Sequence, residues 1–141
     1  MKLKIIPILA AFTTLLSLFA CSQASQIALE IPYEDFMGDQ HFTWAANADI
    51  GDTIMVTLGS NPTTGFTWPD IAQISNQEIA KQTDHKFVSP GQTAVPGASG
   101  KDVWTFKALK TGTTTISMDY SQPWEGGEKA EWTFIATIIV K

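Results

Sequence analysis

Residues 113–140 read TTTISMDYSQPWEGGEKAEWTFIATIIV, two runs of alternating side chains on either side of a glycine-rich turn. In the first run Ile116, Met118 and Tyr120 alternate with polar residues, and in the second apolar side chains occupy every second position up to Val140. This period of two predicts strands with one buried face, because successive side chains of a strand point to opposite faces of a sheet. The stretch therefore predicts two antiparallel strands joined by a turn.

Similar alternation occurs earlier in the chain. Ile54, Val56 and Leu58 occupy every second position of one run, and Trp104 and Phe106 do so in another. Clusters of Gly, Pro, Asn and Asp separate the runs, as is typical of turns between short strands. The pattern predicts an all-β protein, an immunoglobulin-like β-sandwich of about seven to eight antiparallel strands.

The sequence does not decide the structure of two segments. In residues 21–40, Ile27, Leu29 and Ile31 alternate before a proline, which predicts either a short edge strand or part of a tether. Residues 71–81 predict one helical turn or a short strand, and no other stretch predicts a helix.

The composition limits the classes of function. The chain has 141 residues, 44% of them hydrophobic, which suits one domain with a sizeable core and excludes disorder over the whole chain. Its 9 basic residues are all lysines and face 14 acidic residues, giving a net charge of -5. Nucleic acid is not an expected partner, because the chain lacks a basic patch that would neutralise phosphates.

The N-terminal residues have the pattern of a secretory signal peptide. Residues 1–20 combine two lysines with an apolar run that is shorter than the roughly 20 residues of a membrane-spanning helix. The sequence LFAC at residues 18–21 resembles the lipobox of bacterial lipoproteins, which implies that Cys21 becomes a lipidated N-terminus. Lipidation predicts anchoring in the bacterial cell envelope, at the outer membrane or in the periplasm of a two-membrane host. Cleavage after Ala24 would instead secrete the protein without Cys21.

These features divide the chain into three parts. They are a lipoprotein-type signal peptide at residues 1–20, a lipidated N-terminus with a tether or edge strand at residues 21–40, and an immunoglobulin-like domain at residues 41–141. Loss of residues 1–20 removes two lysines and no acidic residue, which leaves seven lysines against 14 acidic residues. The mature domain is therefore acidic, and its charge favours association with a basic target surface.

No pattern in the sequence predicts catalysis. His41 and His85 are the only histidines, neither lies near a nucleophile motif, and both are predicted to lie on solvated surfaces. The segment GASGK at residues 97–101 superficially resembles phosphate-binding and nucleophile motifs, but it lacks the required spacing of either. We therefore expect no enzyme, no cofactor and no metal ion.

Three turns have unusual chemistry. They are NPTTGFTW at residues 61–68 (the first loop), PGASG at residues 96–100 (the second loop) and QPWEGG at residues 122–127 (the third loop). In an immunoglobulin-like sandwich, loops that leave alternate strands gather at one end. We therefore expect the three loops to lie side by side on a rigid scaffold and to form a binding surface.

In this order, the three motifs resemble those of the chagasin family of cysteine-peptidase inhibitors, and the resemblance extends from Asn47 to Lys141. It implies a reversible, tight-binding inhibitor whose partner is a papain-like cysteine peptidase. Separately, we expect a monomer. The three loops would form a wedge that fills the active-site cleft of the peptidase.

The resemblance also assigns roles to single residues. Thr63 would lie closest to the catalytic cysteine of the target, and Trp124 would be an aromatic anchor. Gln122 stands where the family usually has arginine, and Ser99 stands where glycine is usual. The predicted peptidase-binding residues are Asn61, Pro62, Thr63, Thr64, Gly65, Phe66, Gly97, Ala98, Ser99, Gly100, Gln122, Pro123 and Trp124.

Each loop also has a purely structural interpretation. The first loop could be a tight turn without a ligand, the second a turn that leads into a strand, and Trp124 a side chain folded back onto the sandwich. Phe66 and Trp68 suit the core better than a contact surface. A different function also stays open, an envelope-anchored immunoglobulin-like adhesion or glycan- or protein-binding module that uses Trp124 and Trp68 as stacking platforms.

Overall fold

The computed structural model describes residues 23–141; the predicted signal peptide and Cys21 lie outside the described residues. Within residues 23–141 no helix is long and apolar enough to span a membrane. The elements are β1 (Gln26–Ile31), α1 (Tyr33–Gly38), β2 (His41–Ala48), β3 (Thr53–Ser60), β4 (Gln73–Ile74), β5 (Ala80–Val88), β6 (Gly100–Ala108), β7 (Gly112–Tyr120) and β8 (Trp132–Val140), with a 3₁₀ turn at Pro62–Thr64 after β3.

The strands form two four-stranded sheets that pack face to face. One sheet has the order β1-β3-β6-β5 and the other has the order β2-β8-β7-β4. The predicted immunoglobulin-like β-sandwich is confirmed. The expected antiparallel pairing holds among β3 to β8, whereas β1 runs parallel to β3 and β2 runs parallel to β8. No tight hairpin connects either parallel pair, so no turn imposes the antiparallel direction.

The helix α1 contradicts the expectation that no helix forms outside residues 71–81. It has only six residues and one buried side chain, Phe36, so its sequence is too short to show a helical period. The helix begins directly over β3, where the backbone of Tyr33 leaves no room for a Cβ on Gly59. Within residues 71–81, the structure forms the short-strand alternative as β4.

The described part of the segment before residue 41 contributes an edge strand to the sandwich. Of the two alternatives for this segment, the structure forms the strand, and β1 pairs with β3 along its full length. The next element, α1, places Phe36 in the core with none of its surface exposed. Residues 26–38 therefore pack as part of the folded unit, which begins before residue 41.

The apolar core ends in a layer of aromatic rings at the bases of the first and third loops. Trp132 stacks on Tyr120 with ring centroids 4.6 Å apart, and Phe36 stacks on Trp132 at 5.0 Å. Trp68 packs against Tyr120 at 5.0 Å, and its indole N–H donates to the carbonyl of Gly59 at 3.0 Å. Such aromatic pairs contribute about 0.5–1.5 kcal/mol each beyond the area they bury. The layer fixes the strand ends from which these loops leave.

The opposite end of the sandwich holds the β2–β3 turn and the start of β1. The carboxylate of Asp52 accepts the backbone N–H groups of Asp49 at 2.8 Å and Ser25 at 2.7 Å. Because these bonds favour the charged form, they lower the pKa of Asp52 below its ordinary value. Gln26 pairs with Thr53, so β1 begins at the end of the sandwich that lies away from the loops.

Candidate functional site

The first loop is a short turn built around the buried side chain of Asn61. Its Oδ1 accepts the N–H of Thr63 at 3.3 Å and the hydroxyl of Thr63 at 2.6 Å, and its carbonyl accepts the hydroxyl of Thr64 at 2.7 Å. The N–H of Asn61 donates to the hydroxyl of Tyr120 at 2.9 Å. The turn ends at Gly65 with φ of 85°, a conformation that favours glycine. Thr63 and Thr64 are held from inside the loop and remain exposed outside it.

The second loop is tied to the first loop by Asn61. The side-chain Nδ2 of Asn61 donates to the carbonyl of Gly97 at 2.9 Å, and Gly97 adopts φ of 83°. The next two residues, Ala98 and Ser99, are half-buried. Gly100 belongs to β6, and a Cβ there would lie 2.6 Å from Cζ of Phe87. Packing of the two strands therefore suffices to explain glycine at position 100.

The third loop places the indole ring of Trp124 across the first loop. A Cβ on Gly65 would lie 2.8 Å from Cη2 of Trp124, and a Cβ on Gly127 would lie 2.9 Å from its Nε1. The tryptophan is nevertheless 50% exposed. Trp124 therefore combines the two interpretations given above, since one part of the ring packs on the loop end and the other part faces solvent.

The third loop is closed by its own hydrogen bonds. The N–H of Gln122 donates to the carbonyl of Glu128 at 2.8 Å, and the N–H of Glu128 donates to Oε1 of Gln122 at 2.9 Å. The ammonium of Lys129 donates to the carbonyl of Trp124 at 3.0 Å and to the carbonyl of Gln122. Gln122 thus uses its side-chain oxygen to hold the loop, a task that an arginine at this position could not perform.

The first and third loops also meet at their bases. The N–H of Thr67 donates to the carbonyl of Ser121 at 2.9 Å, and the N–H of Ser121 donates to the carbonyl of Thr67 at 3.0 Å. Phe66 stacks on Tyr120 with centroids 5.7 Å apart, which places it beneath the loop surface. The three loops and all of the predicted peptidase-binding residues therefore lie at one end of the sandwich, as expected.

A family model described as chagasin family peptidase inhibitor I42 matches residues 47–138. This chain belongs to the chagasin family. Amoebiasin-2 of Entamoeba histolytica is 28% identical over 92 residues, which cover 65% of this chain and 73% of that protein. Chagasin of Trypanosoma cruzi is 29% identical over 79 residues, which cover 55% of this chain and 71% of that protein.

The fold of this chagasin-family chain is also that of a solved structure. The crystal structure of the cysteine protease inhibitor EhICP2 from Entamoeba histolytica superposes with a TM-score of 0.63 at 23% identity, covering 84% of this chain and 97% of that chain. The family is one of peptidase inhibitors, so its membership identifies this protein as a peptidase inhibitor and not an enzyme.

The two histidines of this chagasin-family chain differ in environment. His41 is exposed and bonds Thr133 Oγ1 at 2.9 Å, whereas His85 is largely buried. The Nε2 of His85 lies 2.7 Å from Oδ1 of Asp102, and its ring stacks on Trp104 with centroids 4.8 Å apart. The prediction of a solvated surface is therefore wrong for His85, because its ring covers the core tryptophan at the sheet edge. Within residues 23–141 no group of three or more His, Cys, Asp or Glu side chains could hold a metal ion.

Two residues that shape the loop end of this inhibitor were not predicted from the sequence. Tyr120 fits the alternating pattern as a core residue, and nothing in that pattern indicates that its hydroxyl supports Asn61. Lys129 follows a glycine-rich turn, where a lysine is usually solvated, and only the three-dimensional turn brings it to two carbonyls. Tyr33 packs edge-on against Trp132 of the aromatic layer, and burial and then the neighbouring Tyr120 raise the pKa of its hydroxyl.

Proposed function

We propose that this protein, as a monomer, inhibits papain-like cysteine peptidases reversibly by inserting the first loop into the active-site cleft, with the second and third loops beside it. The observation that carries the proposal is the direct connection between the loops. Asn61 bonds Gly97, and the ring of Trp124 lies across Gly65. Because the loops are fixed in advance, little conformational entropy remains to be lost on binding.

The first loop is shaped to occupy a cleft without being cleaved. Its 3₁₀ turn is closed by the N–H of Thr64, which donates to the carbonyl of Asn61 at 3.1 Å, and by the N–H of Gly65, which donates to the carbonyl of Pro62 at 3.1 Å. A peptide bond held in such a turn does not reach the near-attack geometry that a cysteine nucleophile needs. Thr63, exposed at the tip, would lie nearest the catalytic cysteine.

The distribution of charge favours a target that is basic beside the third loop. The first and second loops carry no charged side chain, whereas the third loop carries Glu125 and is followed directly by Glu128. Lys129 is engaged with two carbonyls of the loop. Complementary charge of this kind increases the association rate more than the final affinity.

We further propose that the protein acts from the bacterial cell envelope through a lipid on Cys21. The lipobox-like sequence LFAC supports this location, and cleavage after Ala24 would secrete the same domain. The start of β1 lies away from the loops, so an anchor on this side would leave the loops accessible.

The test is the inhibition constant of residues 23–141 against papain. This segment contains both sheets and the core between them, so we expect it to fold on its own. Trp124→Ala should raise the inhibition constant at least tenfold, because truncation of a central tryptophan commonly costs about 2–4 kcal/mol. Leu109→Ala is the control, since Leu109 is 44% exposed but lies at the opposite end. If papain keeps its full activity in the presence of micromolar wild-type domain, the proposal is refuted.

The variant Thr63→Arg separates inhibition from the glycan- or protein-binding alternative. A wedge confined in a cleft cannot accept a long charged side chain at its tip, whereas binding to a glycan through Trp124 would survive the change. Of the two tryptophans that the glycan-binding alternative uses as stacking platforms, Trp68 cannot stack on a ligand, because it is 3% exposed and packs in the core.

A further inference from the structure

An open groove of about 380 Å³ lies between the first loop and the β5–β6 connection at residues 89–99. Among the residues that line it are Pro62, Thr63, Phe87, Pro90, Val95 and Ala98. All of the lining residues are uncharged, although the domain carries 14 acidic residues. The groove is therefore an apolar, uncharged area on an acidic protein, directly beside the tip of the first loop.

The groove is formed before any partner binds. The ring of Phe87 lies over Gly100, where a Cβ would be 2.6 Å from the ring, so the absence of a side chain there sets the ring position. The β5–β6 connection contains two turns, closed by the N–H of Ala94 donating to Gly91 at 2.8 Å and the N–H of Ala98 donating to Val95 at 3.1 Å. Phe87 is nevertheless 43% exposed and Val95 75% exposed.

Exposed apolar side chains grouped in a preformed concave site mark a place where another molecule binds. The groove shares Asn61, Pro62 and Thr63 with the first loop, so a protein that covers the tip of that loop must also cover the groove. A cavity of about 150 Å³ is large enough to bind benzene, so the groove has room for an aromatic or branched aliphatic side chain.

We infer that this groove is a specificity subsite, which receives one apolar or aromatic side chain from the wall of the peptidase cleft. The inference rests on the proposed function, because the occupant is part of the peptidase. Peptidases that present such a side chain beside the catalytic cysteine are inhibited tightly. Peptidases with a charged residue at the same place are inhibited weakly. The charged group would lose its hydration on entering the groove and would find no oppositely charged side chain there.

The experiment compares Val95→Asp with Leu109→Asp in inhibition of papain and a panel of related peptidases. Both residues are exposed and both variants add one negative charge. The comparison therefore distinguishes an effect at the groove from a general effect of the added charge on association. Val95→Asp should raise the inhibition constant at least tenfold for tightly inhibited enzymes, mainly through faster dissociation. Leu109→Asp should change it less than twofold. Thermal unfolding of both variants verifies that the fold is retained.

The effect of Val95→Asp should also differ among the enzymes of the panel, because only some present an apolar side chain to the groove. A loss of equal size for every enzyme would overturn the specificity role. An inhibition constant within twofold of wild type throughout the panel would overturn the subsite while leaving the proposed function intact. If the wild-type protein inhibits none of the enzymes, the proposed function itself fails, and the subsite fails with it.

Discussion

At the scale of single residues, Asn61 determines the geometry of the loop end. Its Nδ2 donates to the second loop, its Oδ1 accepts twice from Thr63, and its N–H bonds Tyr120. The residue is only 9% exposed, so water cannot replace a lost partner without rearrangement. A buried polar group that loses its partner bears its desolvation cost in full, about 1–3 kcal/mol.

Asn61→Asp should separate the donor role of Asn61 from its acceptor role. The carboxylate can still accept from Thr63, but it cannot donate to Gly97 and it places negative charge against that carbonyl. We expect the free energy of unfolding to fall by about 1–3 kcal/mol, measured by urea denaturation. We also expect the inhibition constant against papain to rise at least tenfold, because the second loop is no longer tied to the first.

The matched control is Asn76→Asp. Asn76 is exposed, and its Oδ1 accepts the N–H of Glu78 at 3.0 Å, a bond that the carboxylate retains. This control should keep the stability and inhibition of the wild type. Equal stability and inhibition in Asn61→Asp would show that the bond to Gly97 does not hold the loops together.

At the scale of elements, the sequence predicted the strands that have one face in the core. The strands β3, β6, β7 and β8 alternate clearly because each lies inside a sheet with its inner side chains buried. The edge strand β5 reads AKQTDHKFV and contains an irregularity between Gln82 and Asp84, so its polar sequence shows no regular period. Edge position therefore explains why β2 and β5 were missed, and short length explains why α1 was missed.

The three loops were found from their motifs, but the contacts between them were not. Proline, glycine and asparagine at fixed spacing indicate local turns. The bond from Asn61 to Gly97 and the contact of Trp124 with Gly65 join residues far apart in sequence. These contacts depend on the register between distant strands, which the alternation within each strand does not reveal.

The attachment of β1 to the β2–β3 turn predicts a pH dependence of stability. The hydrogen bonds from Asp49 and Ser25 lower the pKa of Asp52 from its ordinary value of 3.8. Such a group stabilises the fold above the unfolded-state pKa, and this contribution is lost as the pH falls through the lower folded-state pKa. The free energy of unfolding of the wild type should therefore decrease more steeply below about pH 4 than that of Asp52→Asn.

Urea denaturation from about pH 2 to about pH 7 measures this difference. At neutral pH Asp52→Asn should be the less stable protein, and the two curves should converge in acid. Asp84→Asn serves as the control for the loss of one charge, because Asp84 is exposed on β5. Parallel curves for the wild type and Asp52→Asn would contradict the role given to Asp52.

At the scale of the whole molecule, the two ends of the sandwich have different roles. Strand β3 runs from Thr53, beside the start of β1, to Ser60, beside the first loop. At about 3.3 Å per residue, this strand separates the two ends by roughly 25 Å. The chain that leads to Cys21 thus joins the sandwich on the side away from the three loops.

Because the anchor and the three loops lie at opposite ends of the sandwich, we expect that anchoring does not interfere with inhibition. A lipid on Cys21 would hold the β2–β3 turn towards the membrane and direct the three loops towards solvent. We expect the lipidated protein on phospholipid vesicles to inhibit soluble papain with an inhibition constant within about threefold of that of residues 23–141, since loop contacts and loop accessibility are unchanged. A chain of residues 21–141 with Cys21→Ser, which lacks the apolar residues 1–20 and cannot be lipidated, should stay in the soluble fraction and inhibit equally. A large loss of inhibition on vesicles alone would mean that the loops face the lipid, because the same domain in solution has the same loops and differs only in its orientation at the membrane.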